Sequence, residues 1–96
     1  MQYAQDGCLA TVVDLSGNSN TVISDVPALL LGIHVNVVMS AHAVTIDDDT
    51  TAKITLAAST AAGTNINCFG TVFSSSLEVN PNDSSTGTIT VFYRPL

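Results

Sequence analysis

A largely apolar stretch from Ala28 to Met39 constrains the fold of this chain more than any other segment. Its side chains separate onto two faces when residues are taken alternately, which is the pattern of a β-strand with one face in a core. The stretch is shorter than the roughly 20 apolar residues that a membrane-spanning helix needs. We therefore predict the central strand of an all-β domain, with the core-facing residues Leu31, Ile33, Val35, Val37 and Met39.

Short apolar segments separated by clusters of turn residues make up most of the remaining chain. Within one of them, Gly70 predicts a bulge or a bend. The segment from Val44 to Leu56 is predicted to form one hairpin around an acidic turn. About eight strands at this spacing are typical of a sandwich or a barrel. The predicted strands outside the central one are Cys8–Leu15, Thr21–Val26, Ala43–Asp47, Thr51–Ala57, Ile66–Phe73, Ser76–Asn80 and Thr88–Arg94.

The length of 96 residues corresponds to one domain. We predict an antiparallel, jelly-roll-like β-sandwich over residues 8–96, preceded by a polar N-terminal arm, Met1–Gly7. The arm lacks the basic and apolar regions of a signal peptide. Synthesis in the cytoplasm, with reduced thiols, is therefore expected.

The charge balance is strongly acidic, with eight carboxylates against two cations, Lys53 and Arg94, and a net charge of −6. Proteins that bind nucleic acids neutralise phosphates with Lys and Arg, and anionic membranes attract basic segments. Nucleic acids and membranes are therefore poor partners for this chain. A neutral or basic protein surface is a better one.

The two cysteines, Cys8 and Cys68, lie far apart in the sequence. Spacing alone leaves a disulfide possible, but two small buried thiols are the favoured interpretation, because free Cys is among the most buried residue types.

Metal ligands and catalytic residues do not form a recognisable pattern. Asp47, Asp48 and Asp49 are consecutive, so they cannot all point at one ion. A solvated turn is favoured over a weak cation site. His34 and His42 lack a third ligand, so they are interpreted as packed or surface histidines. No nucleophile lies in a catalytic motif, and we predict no enzyme activity, no metal and no cofactor.

Arg94 and the aromatic residues are the remaining candidates for recognition. Arg94, at the end of the last predicted strand, either pairs with a carboxylate across a subunit boundary or extends to water as an ordinary strand-end residue. Sugar recognition usually needs exposed aromatic rings. The few aromatic residues are predicted to be mostly interior; they are Tyr3, Phe69, Phe73, Phe92 and Tyr93.

Several segments together resemble the small all-β virion proteins of tailed bacteriophages, especially those of aquatic and cyanobacterial hosts. The resemblance covers Thr21–Leu96 and implies decoration or cement subunits on the capsid, or small β-modules of head or tail fibres. It also implies homo-oligomers, often trimers. The segments that carry it are Pro27–Asn36, Ser40–Ala43, Ala57–Thr64, Ser76–Asp83 and Thr86–Leu96.

With this resemblance, we predict a virion structural protein that stabilises the capsid through contacts with the major capsid protein, other virion proteins or its own copies. The predicted location is the virion, after synthesis in the host cytoplasm, and a trimer is the favoured oligomer. Met1–Gly7 is predicted to act as a latch, so its deletion should weaken attachment without unfolding the domain. The alternative is a receptor- or glycan-binding module of a fibre.

Overall fold

Two four-stranded antiparallel sheets form a β-sandwich in the computed structural model, which describes residues 8–17 and 19–96. The predicted arm and latch, Met1–Gly7, lies outside the described residues. A short 3₁₀ turn, Leu15–Gly17, follows the first strand. The strands are β1 (Leu9–Asp14), β2 (Thr21–Ser24), β3 (Ala28–Val37), β4 (Val44–Asp48), β5 (Thr51–Leu56), β6 (Asn65–Phe73), β7 (Leu77–Asn80) and β8 (Thr88–Pro95).

The strand pairing is that of a jelly roll, as predicted. Sheet I has the order β1-β8-β3-β6, and sheet II has the order β2-β7-β4-β5. The first strand therefore pairs with the last, the second with the seventh, the third with the sixth, and the fourth with the fifth. This nesting is that of one long hairpin rolled into two sheets, which is the eight-stranded architecture of jelly rolls.

The inner faces of the two sheets form a single apolar core. Alternate residues point inward, as the period of two requires, except where bulges interrupt β3 and β6. Leu15 joins the core from the 3₁₀ turn. Burying a side chain of this size contributes roughly 1.5–3 kcal/mol. The largest fully buried side chains are Leu15, Leu30, Ile33, Ile46, Leu56, Phe73, Leu77 and Ile89.

The central strand is where the sequence predicts it, but two of its predicted core residues are wrong. Leu30 is buried and Leu31 is only half-buried, because a bulge between Leu30 and Gly32 shifts the register against both β6 and β8. An extra residue in one strand reverses the alternation beyond it. Val37 is exposed where the register with β8 shifts again. The other three predictions, Ile33, Val35 and Met39, are buried.

The predicted hairpin from Val44 to Leu56 is confirmed as β4 and β5. The prediction of a solvated turn is wrong for Asp47 and Asp48, which are buried residues of β4. The exposed turn consists of Asp49, whose φ angle is 56°, and Thr50. Within the part of the chain that the structure describes, no helix is long and apolar enough to cross a membrane.

Candidate docking surface

The outer face of sheet I presents several apolar side chains among polar ones, in rows that cross the sheet. Ala10 on β1 is opposite Phe92 on β8, and Leu29 on β3 lies between Arg94 on β8 and Val72 on β6. These residues alternate with the buried ones of the same strands, so they point away from the core. Exposure confirms this orientation: Val12, in a neighbouring row, is 67% exposed.

A bulge on β6, at one edge of this face, displays an aromatic ring. Asn67 pairs with Gly32 and Thr71 pairs with Leu30. The three residues of β6 between Asn67 and Thr71 therefore lie opposite one residue of β3, Leu31. The bulge predicted at Gly70 is therefore confirmed. Phe69, its middle residue, is 86% exposed, so the prediction that this ring is interior is wrong.

The backbone of the bulge is strained and is held by side chains on either side. Phe69 has a φ angle of 58° and Gly70 one of 69°. Glycine tolerates this left-handed region, whereas a bulky residue in it costs roughly 1–3 kcal/mol. Strained residues of this kind cluster at functional positions. The amide of Phe69 donates to Asn67 Oδ1 at 2.8 Å, and Thr71 Oγ1 donates to the carbonyl of Cys68 at 2.6 Å.

Arg94 supplies an available positive charge at one corner of the face. The chain's other cation, Lys53, is already bound: its ammonium donates to the carbonyl of Val72 at 2.6 Å and lies 3.6 Å from Asp48 Oδ2. Among residues 8–17 and 19–96, that ion pair is the only one. Arg94 is exposed. Both interpretations of Arg94, a contact across a subunit boundary and a solvated strand end, remain consistent with this position.

We define the docking surface as the apolar residues on the outer face of sheet I, the Phe69 bulge and the Arg94 corner. A face with exposed aliphatic and aromatic groups and little charge resembles the centre of a protein interface, where charged residues are depleted and aromatic residues and Arg are enriched. Its residues are Ala10, Val12, Leu29, Phe69, Val72, Phe92 and Arg94.

The two histidines are in separate surroundings. His34 lies on the outer face of sheet I, where its Nδ1 atom is 2.6 Å from Asn65 Oδ1. His42 Nδ1 is 3.3 Å from Ser40 Oγ. In the described ranges, no three His, Cys, Asp or Glu residues are grouped so that they could hold a metal ion.

The cysteines are free thiols at opposite edges of sheet I. Cys8 directly precedes β1 and is half-buried, and Cys68 lies on β6 and is buried. Burial raises the pKa of the Cys68 thiol. The interpretation of two buried thiols therefore applies fully to Cys68 and partly to Cys8.

The acidic cluster serves the fold at Asp48, which is buried next to the connection between β6 and β7. Its carboxylate accepts hydrogen bonds from the backbone amides of Ser74, Ser75 and Ser76. Those bonds, the one from Ser74 first, lower the pKa of Asp48 to about 2 although burial opposes the shift. This aspartate is therefore charged across the neutral range and fixes a turn.

Comparison with known proteins gives no relative from which a role can be transferred. The chain matches no family model, no curated protein and no solved structure. Its function is therefore inferred from the architecture and the docking surface.

Proposed function

We propose that this chain is a virion structural protein of a tailed bacteriophage, a capsid decoration or cement subunit that attaches through the docking surface. The observation that carries the proposal is the exposed ring of Phe69 on a strained bulge beside an apolar sheet face. Strain of this kind persists only where the surrounding structure holds it. An aromatic anchor of this kind contributes binding energy when a partner's pocket encloses it.

The architecture supports the proposal at the level of class. Jelly rolls occur in viral capsid and lectin domains, although a fold by itself does not define a function. The sheet edges add a second argument. Edge strand β1 carries no charged residue between Leu9 and Val13, and uncharged edges favour association with other chains. Homo-oligomers, with a trimer favoured, are part of the proposal.

The mechanism is binding to the assembled shell in preference to its free subunits. A ligand that binds only one state stabilises that state by mass action. The partner is the major capsid protein, another virion protein or a second copy of this chain. Arg94 orients the contact by pairing with a carboxylate of the partner, and the apolar rows and Phe69 supply the buried area. The proposal gives the chain no catalytic role.

The experiment is a co-sedimentation assay with capsids of the phage that encodes the chain. Phe69→Ala is expected to lower occupancy at least tenfold, since an interface anchor contributes about 2 kcal/mol or more. The matched control is Val22→Ala, which truncates an exposed apolar residue on sheet II. Equal occupancy of the wild type and the Phe69 variant, or no binding of the wild type, would refute the proposal.

Glycan or receptor binding is the second candidate, and one observation favours it. Phe69 is an exposed aromatic platform, and the amide side chains of Asn65 and Asn67 lie on the same strand. Aromatic faces and amides together suit a sugar ring. Binding to a glycan array that disappears in Phe69→Ala, with capsid occupancy unchanged, would favour this function over capsid decoration.

A further inference from the structure

Three of the four edge strands of the sandwich carry features that oppose pairing with another chain. The edge strands are β1 and β6 in sheet I, and β2 and β5 in sheet II. Short strands, bulges, prolines and lysines are the usual protection of a sheet edge. β6 is interrupted by the bulge at Phe69 and Gly70. β2 is four residues long, has a register shift and is followed closely by Pro27. β5 carries Lys53, whose ammonium donates to the carbonyl of Val72 on β6.

The fourth edge strand, β1, has none of these features. It is six residues long and pairs with β8 without a register shift. Between Leu9 and Val13 it contains no charged residue, no proline and no glycine. Among residues 8–17 and 19–96, β8 is its only strand partner. Such an edge presents a row of unpaired backbone N–H and C=O groups, which is a template for a further strand.

The unpaired groups belong to the even-numbered residues of β1. The amide of Leu15 donates to the carbonyl of Gly87 at 2.9 Å, in continuation of the register between β1 and β8. In an antiparallel pair, hydrogen-bonded positions alternate with non-hydrogen-bonded ones. Odd-numbered residues of β1 therefore bond to β8, whereas the backbone groups of Ala10 and Val12 point to the free edge.

This edge is complementary to a second copy of itself. If Thr11 lies opposite Thr11 of an antiparallel copy, Ala10 lies opposite Val12 of that copy and exchanges two hydrogen bonds with it. Directly opposite side chains are on the same face, so outer residues meet outer ones and inner residues meet inner ones. Val12, which is 67% exposed, then packs against Ala10, and Leu9, which is 44% exposed, packs against Val13.

The same register keeps the acidic groups of the two copies apart. Asp14 lies opposite Cys8 of the second copy, at the other end of the strand from that copy's own Asp14. At about 3.4 Å per residue, the two carboxylates are roughly 20 Å apart, which exceeds the Debye length of about 8 Å at physiological salt. A partner for this edge must bring an extended segment without a central charge, and β1 itself meets that requirement.

We propose that two copies of this chain associate through β1, in an antiparallel pair with Thr11 on the twofold axis. A contact that uses the same surface on both copies closes as a dimer. It joins two four-stranded sheets into one continuous sheet and leaves Phe69, on the opposite edge strand, exposed. The proposal does not rest on the proposed function. In a trimer, this contact would join each subunit to a subunit of another trimer.

The first experiment is sedimentation equilibrium of the full chain over a range of protein concentrations in about 0.15 M NaCl. A reversible dimer is expected. Thr11→Lys places two ammonium groups opposite each other across the axis, so it should raise the Kd of the dimer at least about tenfold. The matched control is Thr55→Lys, which makes the same change at an exposed residue of edge strand β5 and should leave Kd unchanged. An equal Kd for the two variants, or a monomeric wild type, overturns the proposal.

The second experiment tests the register by disulfide formation in a Cys8→Ser background. Thr11→Cys is expected to form an interchain disulfide in a glutathione buffer, because a non-hydrogen-bonded pair has Cα atoms about 4.5 Å apart, which a disulfide can bridge. Leu9→Cys is the control on the same strand, since its two copies lie about 14 Å apart and should remain reduced. Equal yields for the two variants overturn the proposal. A wild type that dimerises only when Met1–Gly7 is deleted also overturns it, in favour of that segment as the strand partner.

Discussion

Asp48 holds Ser74 by two hydrogen bonds: its Oδ2 atom accepts from the backbone amide at 2.9 Å and from the hydroxyl at 3.1 Å. Its Oδ1 atom accepts from the amides of Ser75 and Ser76. Residues 74–76 carry the chain from β6 in sheet I to β7 in sheet II. One side chain on β4 therefore fixes a crossover between the two sheets.

Replacing this carboxylate should weaken the fold. Asp48→Asn supplies one acceptor oxygen instead of two and removes the negative charge that strengthens the bonds. We expect the urea midpoint to fall clearly below that of Asp25→Asn, an exposed carboxylate with the same change of charge. Equal midpoints for the two variants would show that the crossover does not depend on Asp48.

The lowered pKa of Asp48 makes stability depend on pH in a defined window. The backbone amide of Ser74, helped by the amides of Ser75 and Ser76, lowers the pKa of this carboxyl from 3.8 to about 2 in the folded protein. Between these values the unfolded chain binds a proton that the folded chain does not, so stability falls as the pH falls from about 4 to 2. Urea midpoints from pH 6 to 2 should converge for the wild type and Asp48→Asn, and parallel curves would contradict the assignment.

The sequence predicts the strands well because their apolar periodicity is local, and it fails where bulges alter that periodicity. The bulge at Leu31 reverses the alternation in β3, and it is visible only as a shift against the neighbouring strands. Gly70 signals the bulge in β6, yet a glycine does not reveal which neighbour is turned outward. The exposure of Phe69 therefore depends on pairing that the sequence does not contain.

The aspartates fail to follow the sequence prediction for a different reason. Three consecutive acidic residues normally form a solvated turn. Asp48 is buried because its partners, residues 74–76, lie in a crossover that only the tertiary fold brings near. Asp47 faces Glu78 through the pairing of β4 with β7, which are not consecutive strands. Long-range pairing of this kind leaves no local signal in the sequence.

Truncating the two phenylalanines of β6 should have very different effects on the unfolding free energy. Phe73 is fully buried, so Phe73→Ala is expected to cost about 3–5 kcal/mol of unfolding free energy. Phe69 is exposed, so Phe69→Ala should change it by no more than about 0.5 kcal/mol. Urea unfolding measures both. A large loss in the Phe69 variant would mean that the ring packs within its own chain and is not free for a partner.

The cysteines should remain unpaired within one chain. They lie at opposite edges of sheet I, separated by about 14 Å over three strand spacings, whereas a disulfide needs Cα atoms within about 7 Å. A thiol reagent at pH 8 should modify Cys8 in the native protein and Cys68 only after unfolding, since burial both shields Cys68 and raises its pKa. Cys8→Ser should leave no fast-reacting thiol. Equal reaction rates of Cys8 and Cys68 in the native wild type would contradict this prediction.

Gly87 should tolerate no side chain, because two independent constraints act on it. Its φ angle is 114°, and a Cβ atom would lie 2.8 Å from the carbonyl oxygen of Val38. Left-handed strain costs roughly 1–2 kcal/mol and overpacking adds about 1–3 kcal/mol, so Gly87→Ala should lose about 3 kcal/mol of unfolding free energy. Its carbonyl accepts the amide of Leu15 at 2.9 Å, which prevents the loop from moving away freely.

Gly63→Ala is the matched control for Gly87→Ala. Gly63 also has a positive φ angle, 86°, but a Cβ atom there would have no atom within 4 Å. Gly63→Ala should therefore lose only the unfolding free energy that the backbone strain costs, about 1–2 kcal/mol. Urea unfolding of the two variants separates strain from steric overlap. If both lose the same free energy, the close approach of the Val38 carbonyl to Gly87 does not limit the residue at this position, and the glycine is required for its backbone angle alone.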